Sequence, residues 1–297
     1  MPTLEFLNRK IKTAHDLLGV VRTMKSLAAV NIRQFERAVA SLEQYRQVVE
    51  LGWRVFLRMG RPMDTPPRSQ GSICLFVGTD QGMCGQFNEA LWLFAHSRTT
   101  VQAQAIGGQN WVYWSVGEKI RGILADGGTP PDAHFPAPAS MTAVNGQIRM
   151  VVAMIERWRS ANKLEQFAVC HHVLAEHGGV DPVFQRVLPL DAAWAEERRS
   201  SPWPNRCLPM LGASRDVMFT HLFRQYLFIS LFRAFAQSLA AENAARLMAM
   251  QAAEKKILEL LDDLQGRFRE QRQAGITNER LDIISGFEAL SGESSVG

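Results

Sequence analysis

Four residues that could bind a transition metal lie close together in the chain. Cys170, His171, His172 and His177 supply the thiolate and imidazole groups that bind zinc. They fall in or just after an apolar run, residues 167–174, that predicts a β-strand, and neighbouring side chains of a strand point to opposite faces. These groups cannot converge on one ion without ligands from a second element. We therefore predict strand residues rather than a metal site.

A glycine cluster could bind the phosphates of a nucleotide. Residues 78–88 read Gly-Thr-Asp-Gln-Gly-Met-Cys-Gly-Gln-Phe-Asn and lie between a predicted strand and a predicted helix, the usual setting of phosphate-binding loops. However, the glycines are separated by three and two residues, and no Gly-Lys-Ser/Thr follows. Neither the P-loop nor the dinucleotide pattern is satisfied, so we predict a structural turn and no cofactor. The remaining residues show no catalytic triad or paired carboxylates, so we predict no catalytic residues.

Composition and cysteine usage narrow the class of protein. At 297 residues, 46 % hydrophobic and 21 % charged, the chain has the composition of a globular protein with a substantial core. The N-terminus shows no signal or transit peptide pattern.

The four cysteines, at positions 74, 84, 170 and 207, form no CxxC pair and are predicted to be reduced thiols of a cytoplasmic protein. The apolar stretch 217–241 contains Arg224 and Arg233, so we predict a helix buried in protein rather than a membrane span.

Charge is distributed unevenly along the chain. The net charge is +4, but residues 1–61 contain eleven Lys and Arg against five Asp and Glu, an excess of six. This excess predicts an acidic partner for the first helix. Nucleic acid is disfavoured as that partner, because the cations surround the helix without interleaved aromatic residues or a known binding motif.

These residues must be positioned by a middle region of short strands and helices. Apolar runs predict strands at 72–78, 101–107 and 167–174, and helices are predicted at 87–96, 111–124 and 141–160. Proline-rich tracts predict loops at 127–139 and 200–212 and an end to the first helix at 61–71. The middle region is therefore predicted to be a small Rossmann-like α/β domain.

Both ends of the chain predict long helices with a coiled-coil seam. Apolar residues near the N-terminus recur at alternating spacings of three and four, with only Lys25 interrupting, and the C-terminal seam is interrupted at Arg233, Asn243 and Glu254. The N-terminal seam consists of Leu4, Leu7, Ile11, Ala14, Leu18, Val21, Ala28, Ile32, Phe35, Val39 and Leu42. The C-terminal seam consists of Phe219, Leu222, Tyr226, Ile229, Ala236, Ala240, Leu247, Met250, Ile257, Leu261, Leu264 and Phe268. Because a whole domain separates the two helices, we predict that they pair antiparallel.

The length of the C-terminal helix indicates that it extends beyond its own domain. A helix over 215–288, at about 1.5 Å per residue, is on the order of 110 Å long. A compact globule of this chain length is only about 50 Å across. The predicted fold class is therefore α/β, with a long antiparallel coiled coil joined to the small Rossmann-like domain. The predicted divisions are an N-terminal coiled-coil helix at 1–61, an α/β foot at 72–212 and a C-terminal coiled-coil helix at 213–290.

Several stretches resemble the gamma subunit of the F-type rotary ATP synthase, and the similarity covers nearly the whole chain. The most specific stretch, 238–250, reads Ser-Leu-Ala-Ala-Glu-Asn-Ala-Ala-Arg-Leu-Met-Ala-Met. Further similarity lies at 272–279, 283–286, the glycine cluster 78–88 and, more weakly, 21–29. The chain departs from the family pattern at 31–32 and 254–256, which marks a divergent bacterial member.

The resemblance implies a noncatalytic central-stalk rotor subunit. Its two long helices would enter a ring of alpha and beta subunits, and its foot would meet the epsilon subunit and the membrane c-ring. Rotation driven by ions would thereby be coupled to ATP synthesis or hydrolysis, at the cytoplasmic face of the bacterial inner membrane, with the subunit bound peripherally. The resemblance assigns beta contacts to Arg272, Gln273 and Thr277, together with electrostatic contacts from Arg9, Lys10 and Lys25 to acidic beta segments.

Two other classes of protein remain as alternatives. An α/β enzyme with helical arms requires polar residues that converge on a pocket, and none can be specified from the sequence. A coiled-coil scaffold outside any rotary ATPase explains both long helices but not residues 272–279. Co-purification with a partner ring of three plus three subunits supports the rotor, whereas small-molecule activity of the isolated chain supports the enzyme.

Overall fold

The computed structural model describes most of the chain. It covers residues 3–59, 71–105, 111–161, 163–176, 178–190, 192–204, 207, 209, 212 and 214–293, with side chains described outside 100–105 and 286–293. The helices are α1 (Leu4–Arg58), α2 (Phe87–Ala105), α3 (Glu118–Asp126), α4 (Met141–Ser160), α5 (Ala192–Ser200) and α6 (Arg215–Glu293). The strands are β1 (Ser72–Val77), β2 (Trp111–Val116), β3 (Ala133–Phe135), β4 (Gln166–Leu174) and β5 (Val180–Leu188).

The chain forms two compact units. The first, which we call the helical tip, contains the described residues of α1 up to Leu27 and those of α6 from Met248. The second, which we call the foot unit, extends from Ala28 to Leu247 and contains the sheet with its surrounding helices.

In the helical tip, α1 and α6 pack antiparallel through their apolar seams. Ile11, Ala14 and Leu18 of α1 pack with Ile257 and Leu261 of α6. Further towards the C-terminus of α1, Arg22 pairs with Glu254, which precedes those α6 residues. Increasing residue number in one helix therefore accompanies decreasing number in the other, as the seam predicted.

In the foot unit, five strands form one sheet in the order β3-β2-β1-β4-β5. Strands β1, β2, β3 and β4 pair in parallel, and β5 runs antiparallel to β4. The chain passes from β1 to β2 on one side and returns to β4 on the other, which is the doubly wound arrangement. The Rossmann-like α/β prediction is therefore confirmed.

Both faces of the sheet are buried. One face carries Trp114 and Phe167, which belong to the large core that also includes Leu227 and Phe235 of α6. The opposite face carries Cys74, Phe76 and Cys170, which pack with side chains of α2 and α3. Because a parallel strand is covered on both sides, its sequence reads as a continuous apolar run rather than an alternating one.

Some predicted elements are confirmed closely. Helix α4 has the predicted bounds, and its first turn is capped by the Ser140 hydroxyl, which accepts a hydrogen bond from the Ala143 N–H at 3.3 Å. Strands β1 and β4 agree with their predictions to within one residue, and helix α2 begins as predicted at Phe87. Helix α1 ends at Arg58, while the tract 61–71 lies outside the described residues apart from Gly71.

Two predictions in the middle region are wrong. Residues 101–105 are the end of helix α2 rather than a strand, and 106–107 lie outside the described residues. The alternating glutamine and alanine residues there favour helix, and the apolar run obscured this preference. The predicted helix 111–124 is strand β2 followed by α3, separated by Gly117 at φ 103°. A side chain at Gly117 would lie 2.6 Å from the Thr79 carbonyl oxygen, so the strand-to-helix turn requires glycine.

Three elements were not predicted from the sequence. Strand β3 lies inside the tract 127–139, which was expected to be only loop, and it pairs with β2 over three residues. Strand β5 and helix α5 had no predicted counterpart. From 201 to 212 the described residues form no helix or strand, in agreement with the predicted loop. Across the described ranges no helix combines the length and apolarity needed to cross a bilayer.

The aromatic packing of β2 gives a test of this core. Trp114 is fully buried and its ring contacts Phe135, Trp158 and Phe167 at centroid distances of 6.3, 6.0 and 6.2 Å. We expect Trp114→Ala to lower the free energy of opening of the sheet by about 3–5 kcal/mol, because it leaves a cavity. Hydrogen exchange of β1 and β2 amides measures this change. Leu93→Ala, at a side chain 61 % exposed, is the control and should change it by less than about 0.5 kcal/mol. An equal effect of both variants would contradict the packing.

Candidate functional site

The glycine turn after β1 is closed by its own side chains. The Thr79 N–H donates to Asn88 Oδ1 at 3.1 Å, and Asn88 Nδ2 donates to the Thr79 hydroxyl at 3.0 Å. Asp80 Oδ1 accepts from the backbone N–H of Glu118 at 2.9 Å and of Ala137 at 3.2 Å. The Asp80 carboxylate therefore satisfies the N-terminus of α3 and fixes the segment after β3, so these groups are used within the fold.

Helix α6 covers the crevice where a doubly wound sheet usually binds its ligand. Such ligands bind beyond the carboxyl ends of the strands at the point where strand order reverses, which here lies between β1 and β4. The Ser238 hydroxyl donates to the Val77 carbonyl oxygen at 2.9 Å. Ala241 and Ala245 pack in one cluster with Cys84 and Phe87 of the turn region. Small side chains on α6 let the helix approach the end of β1 closely.

A polar cavity of about 250 Å³ lies beside this junction. It is bounded by the glycine turn, the segment after β3, and helices α1 and α6. Its lining residues are Asn31, Phe35, Asp80, Gln81, Ala137, Pro138, Ala139, Leu239, Glu242, Asn243 and Arg246. Thus the two stretches singled out by the sequence, 78–88 and 238–250, meet at one site.

Charged and amide groups of this cavity are paired with one another. Arg246 Nη2 donates to Glu242 Oε1 at 2.6 Å, and both side chains are largely buried. Burial raises the pKa of Glu242 above its usual value, although Arg246 opposes that effect. Asn31 Nδ2 donates to Asn243 Oδ1 at 3.3 Å, and Asn243 Nδ2 donates to the Leu239 carbonyl oxygen at 2.8 Å. The Glu242–Arg246 pair and the Asn31–Asn243 pair were not found from sequence, although Asn243 interrupts the apolar seam.

The histidines of β4 point to opposite faces of the sheet. His171 Nε2 lies 3.3 Å from Gln237 Oε1 of α6, whereas the His172 ring stacks on Phe87 of α2 with centroids 4.0 Å apart. Cys170 shares the face of His172, and its sulfur lies 3.3 Å from that of Cys74. Within the described ranges no three His, Cys, Asp or Glu side chains are grouped to hold a metal, and His177 lies outside those ranges.

All four cysteines are free thiols. Cys74, Cys84 and Cys170 are buried, and Cys207 is exposed. Burial raises the pKa of both Cys74 and Cys84. Thiols with raised pKa are poor nucleophiles, so these groups act as small apolar side chains of the core.

In the helical tip, the predicted contact residues of α6 face solvent. Arg272, Gln273 and Thr277 are exposed. The Thr277 hydroxyl donates to the Gln273 carbonyl oxygen at 3.0 Å, and residues four apart share one helix face. Arg272 and Gln273 are adjacent exposed residues of α6.

The predicted contact residues of α1 are in two different environments. Arg9 and Lys10 are exposed and line a groove of about 350 Å³ with Phe6, Leu17, Leu260 and Leu264. The Lys10 ammonium lies 4.6 Å from the centre of the Phe6 ring. Lys25 instead forms an ion pair with Glu254 of α6, at 2.5 Å between Nζ and Oε2. The sequence showed Lys25 and Glu254 as separate interruptions of the two seams, and their pairing was not predicted.

The fold and these sites define a class of protein: a doubly wound α/β domain joined to two long paired helices, one of which covers the usual ligand crevice. A family model described as ATP synthase matches residues 3–290. The ATP synthase gamma chain of Bacteroides fragilis is 24 % identical over 297 residues, covering 97 % of this chain and all of that relative. That of Desulforudis audaxviator is 26 % identical over 316 residues, covering 98 % of this chain and all of that relative.

Solved structures show the same fold. A chain of the Euglena gracilis mitochondrial ATP synthase, in its OSCP/F1/c-ring structure, has a TM-score of 0.63 at 14 % identity and covers 99 % of this chain and 96 % of its own. A chain of the rotor structure of the same assembly has a TM-score of 0.57 at 12 % identity, covering 92 % of this chain and 98 % of its own. The chain belongs to the gamma-subunit family of ATP synthase. It is a subunit of a rotary ATPase complex and forms its central rotor stalk, so the alternative of an unrelated coiled-coil scaffold is wrong.

The buried histidines make the stability of β4 depend on pH. Burial lowers the pKa of His171 and His172 from 6.5 to about 4. The unfolded chain therefore takes up protons first as pH falls, and stability is lost between about pH 6.5 and 4, by roughly 3 kcal/mol for each histidine.

We expect His172→Phe to reduce this loss. Protection of β4 amides from hydrogen exchange, measured at pH 4.5 and pH 7, should differ less in the variant than in the wild-type chain. His15→Phe, at an exposed position of α1, is the control and should leave the difference unchanged. A pH dependence identical in all three proteins would show that His172 is not buried as a neutral ring.

Proposed function

We propose that this chain transmits rotation from a membrane c-ring to a ring of three alpha and three beta subunits, and that it contributes no catalytic residue itself. The observation that carries this proposal is the position of α6, whose Ser238, Ala241 and Ala245 occupy the crevice beyond β1. An enzyme of this fold class leaves that crevice open for its substrate. Here the crevice is used to attach a long helix to the sheet.

The proposed contacts with the beta subunits lie on exposed polar groups of the helical tip. Arg272 and Gln273 offer donors for charge-assisted hydrogen bonds, and the Thr277 hydroxyl lies one turn further along the same helix. Arg9 and Lys10 add positive charge beside an apolar groove. Lys25 would add a further electrostatic contact to acidic beta segments.

Differential contact is the proposed means of transmission. A ligand or partner shifts a conformational equilibrium only by the difference in its interaction with the two states. Each hydrogen bond to a charged group contributes roughly 1.5–3 kcal/mol. If Arg272 contacts one beta subunit at each rotary position, that subunit differs from the other two in its interaction free energy with the helix. A difference of this size is large enough to favour an open or closed state in each beta subunit.

The foot unit supplies the proposed contacts with the remaining rotor components. We propose the division into helix 1–61, foot domain 72–212 and helix 213–290, with the foot meeting the epsilon subunit and the c-ring. The structural relatives come from assemblies whose descriptions include a c-ring, which supports this proposal. With bacterial relatives among the similar chains, the proposed location is the cytoplasmic face of the inner membrane, with peripheral attachment.

Absence of catalysis by the isolated chain is directly testable. We expect the purified full-length chain to show no ATP hydrolysis above background, since α6 covers the crevice and the described residues form no catalytic set. An ATP-regenerating coupled assay measures this rate, and the assembled alpha, beta and gamma complex serves as the positive control. An ATP hydrolysis activity that copurifies with the single chain through two orthogonal columns would contradict the proposal.

Replacement of the α6 contact residues tests the coupling surface. We expect Arg272→Ala with Gln273→Ala to lower the ATP hydrolysis rate of the assembled complex several-fold, or to impair assembly, because hydrogen bonds worth roughly 1.5–3 kcal/mol each are lost.

The matched control is Arg149→Ala with Arg157→Ala, two exposed positions on α4 of the foot unit. Arg159 is unsuitable, because its guanidinium lies 4.3 Å from the Phe223 ring centre and its loss would also disturb packing. Normal assembly and unaltered ATP hydrolysis in the Arg272 and Gln273 variant would show that these residues are not coupling contacts.

A further inference from the structure

The paired helices of the helical tip have one polar layer within an apolar seam. The α1 seam is interrupted at Lys25 and the α6 seam at Glu254, and these two residues meet, with Nζ and Oε2 2.5 Å apart. Arg22 Nε contacts the other oxygen of the same carboxylate at 2.9 Å. Both carboxylate oxygens of Glu254 are therefore bound by cations of α1.

The Glu254 carboxylate lies close to the helix interface and is charged. Its side chain is 17 % exposed, compared with 35 % for Lys25 and 56 % for Arg22. Hydrogen bonds from Lys25, and then from Arg22, lower the pKa of Glu254 below its usual value. Among the described residues of this unit, the other ion pairs, Lys256–Glu259 and Arg267–Asp263, join residues of the same helix.

An apolar seam alone does not determine how two helices align along their axes. Leucine and isoleucine of one helix pack against those of the other in several axial positions, and polar seam residues are what commonly specify one of them. A slip of one seam position in one direction would place Lys25 opposite Met250 and Glu254 opposite Val21. In the other direction it would place Lys25 opposite Ile257. Either slip separates Lys25 from Glu254 and places the lysine against an apolar side chain, so the ion pair of the observed register is lost.

We propose that Glu254 is a positioning residue, whose ion pairs with Lys25 and Arg22 specify the axial register of α1 and α6 in the helical tip. The register sets where Arg9 and Lys10 lie along the axis relative to Arg272 and Gln273. In this respect the inference rests on the proposed function, because those four residues are the proposed beta contacts. Lys25 can contact a beta subunit only when its ion pair with Glu254 is broken.

The effect of the Lys25–Glu254 pair on helix register can be separated from its effect on stability, which makes the proposal testable. Replacing an ion pair by apolar side chains of similar volume is often neutral or stabilising, although it removes the preference for one alignment. The variant Lys25→Leu with Glu254→Leu should therefore stay folded. Lys256→Leu with Glu259→Leu is the matched control, since it makes the same chemical change at an ion pair within α6.

The register is measured in the full-length chain as a distance between two nitroxide labels. Asn8→Cys on α1 and Leu258→Cys on α6 are exposed positions, offset along the helix axis so that a slip changes their separation. Cys207→Ser removes the exposed native thiol, and dilution with unlabelled chain removes distances between molecules. A slip of one seam position, three or four residues, moves one helix by about 5 Å along the axis.

We expect one distance in the wild-type background and in the control. In Lys25→Leu with Glu254→Leu we expect a second population displaced by about 5 Å, and the full charge reversal, Arg22→Glu and Lys25→Glu with Glu254→Lys, should restore a single distance. A single, unshifted distance in the double-leucine variant would overturn the proposal.

Turnover of the complex assembled with alpha and beta subunits separates this inference from the proposed function. A split distance with several-fold slower ATP hydrolysis supports both. A split distance with unchanged hydrolysis supports the register role of Glu254 and contradicts the assignment of Arg272 and Gln273 as coupling contacts.

Discussion

The packing of α6 against the end of β1 is the contact on which the rest of the structure depends. Ser238 donates to the Val77 carbonyl oxygen, and the alanines at 241 and 245 lie against the glycine turn. Larger side chains here would hold the helix away from the sheet. Because the helix fits closely, it completes the core of the foot unit and covers the crevice that a doubly wound fold offers to ligands.

Polar side chains within the helix interfaces contribute specificity more than stability. Lys25 and Glu254 in the helical tip, and Asn243 in the foot unit, replace apolar seam positions by polar side chains that pair across the two helices. A partly exposed pair of this kind contributes little net free energy, because its groups lose water on pairing and solvent screens their attraction. Its advantage is that misaligned helices lose the pair, so that the correct alignment is preferred.

Much of the fold could be predicted from sequence, and the errors have local causes. Helix α4 and strands β1 and β4 were correct because each carries an unambiguous pattern: a serine cap and helical spacing for α4, and continuous apolar runs for the strands. Strand β2 was read as helix because its aromatic residues continue into α3 with only Gly117 between them. Strand β3, three residues long, is defined by pairing with β2, which no local pattern reveals.

The sequence by itself determined the two long helices, their antiparallel seams, the α/β class and the family, because periodicity and short signatures are encoded locally. Only the tertiary structure decided which residues meet. It brought 78–88 and 238–250 to one cavity, buried Glu242 beside Arg246, and paired the seam interruptions Lys25 and Glu254. Glu242 and Arg246 are neighbours on one helix, and only their burial depends on the tertiary structure. The two cavity stretches, and Lys25 with Glu254, lie more than a hundred positions apart, and their proximity follows from packing of helices and strands, which local pattern does not specify.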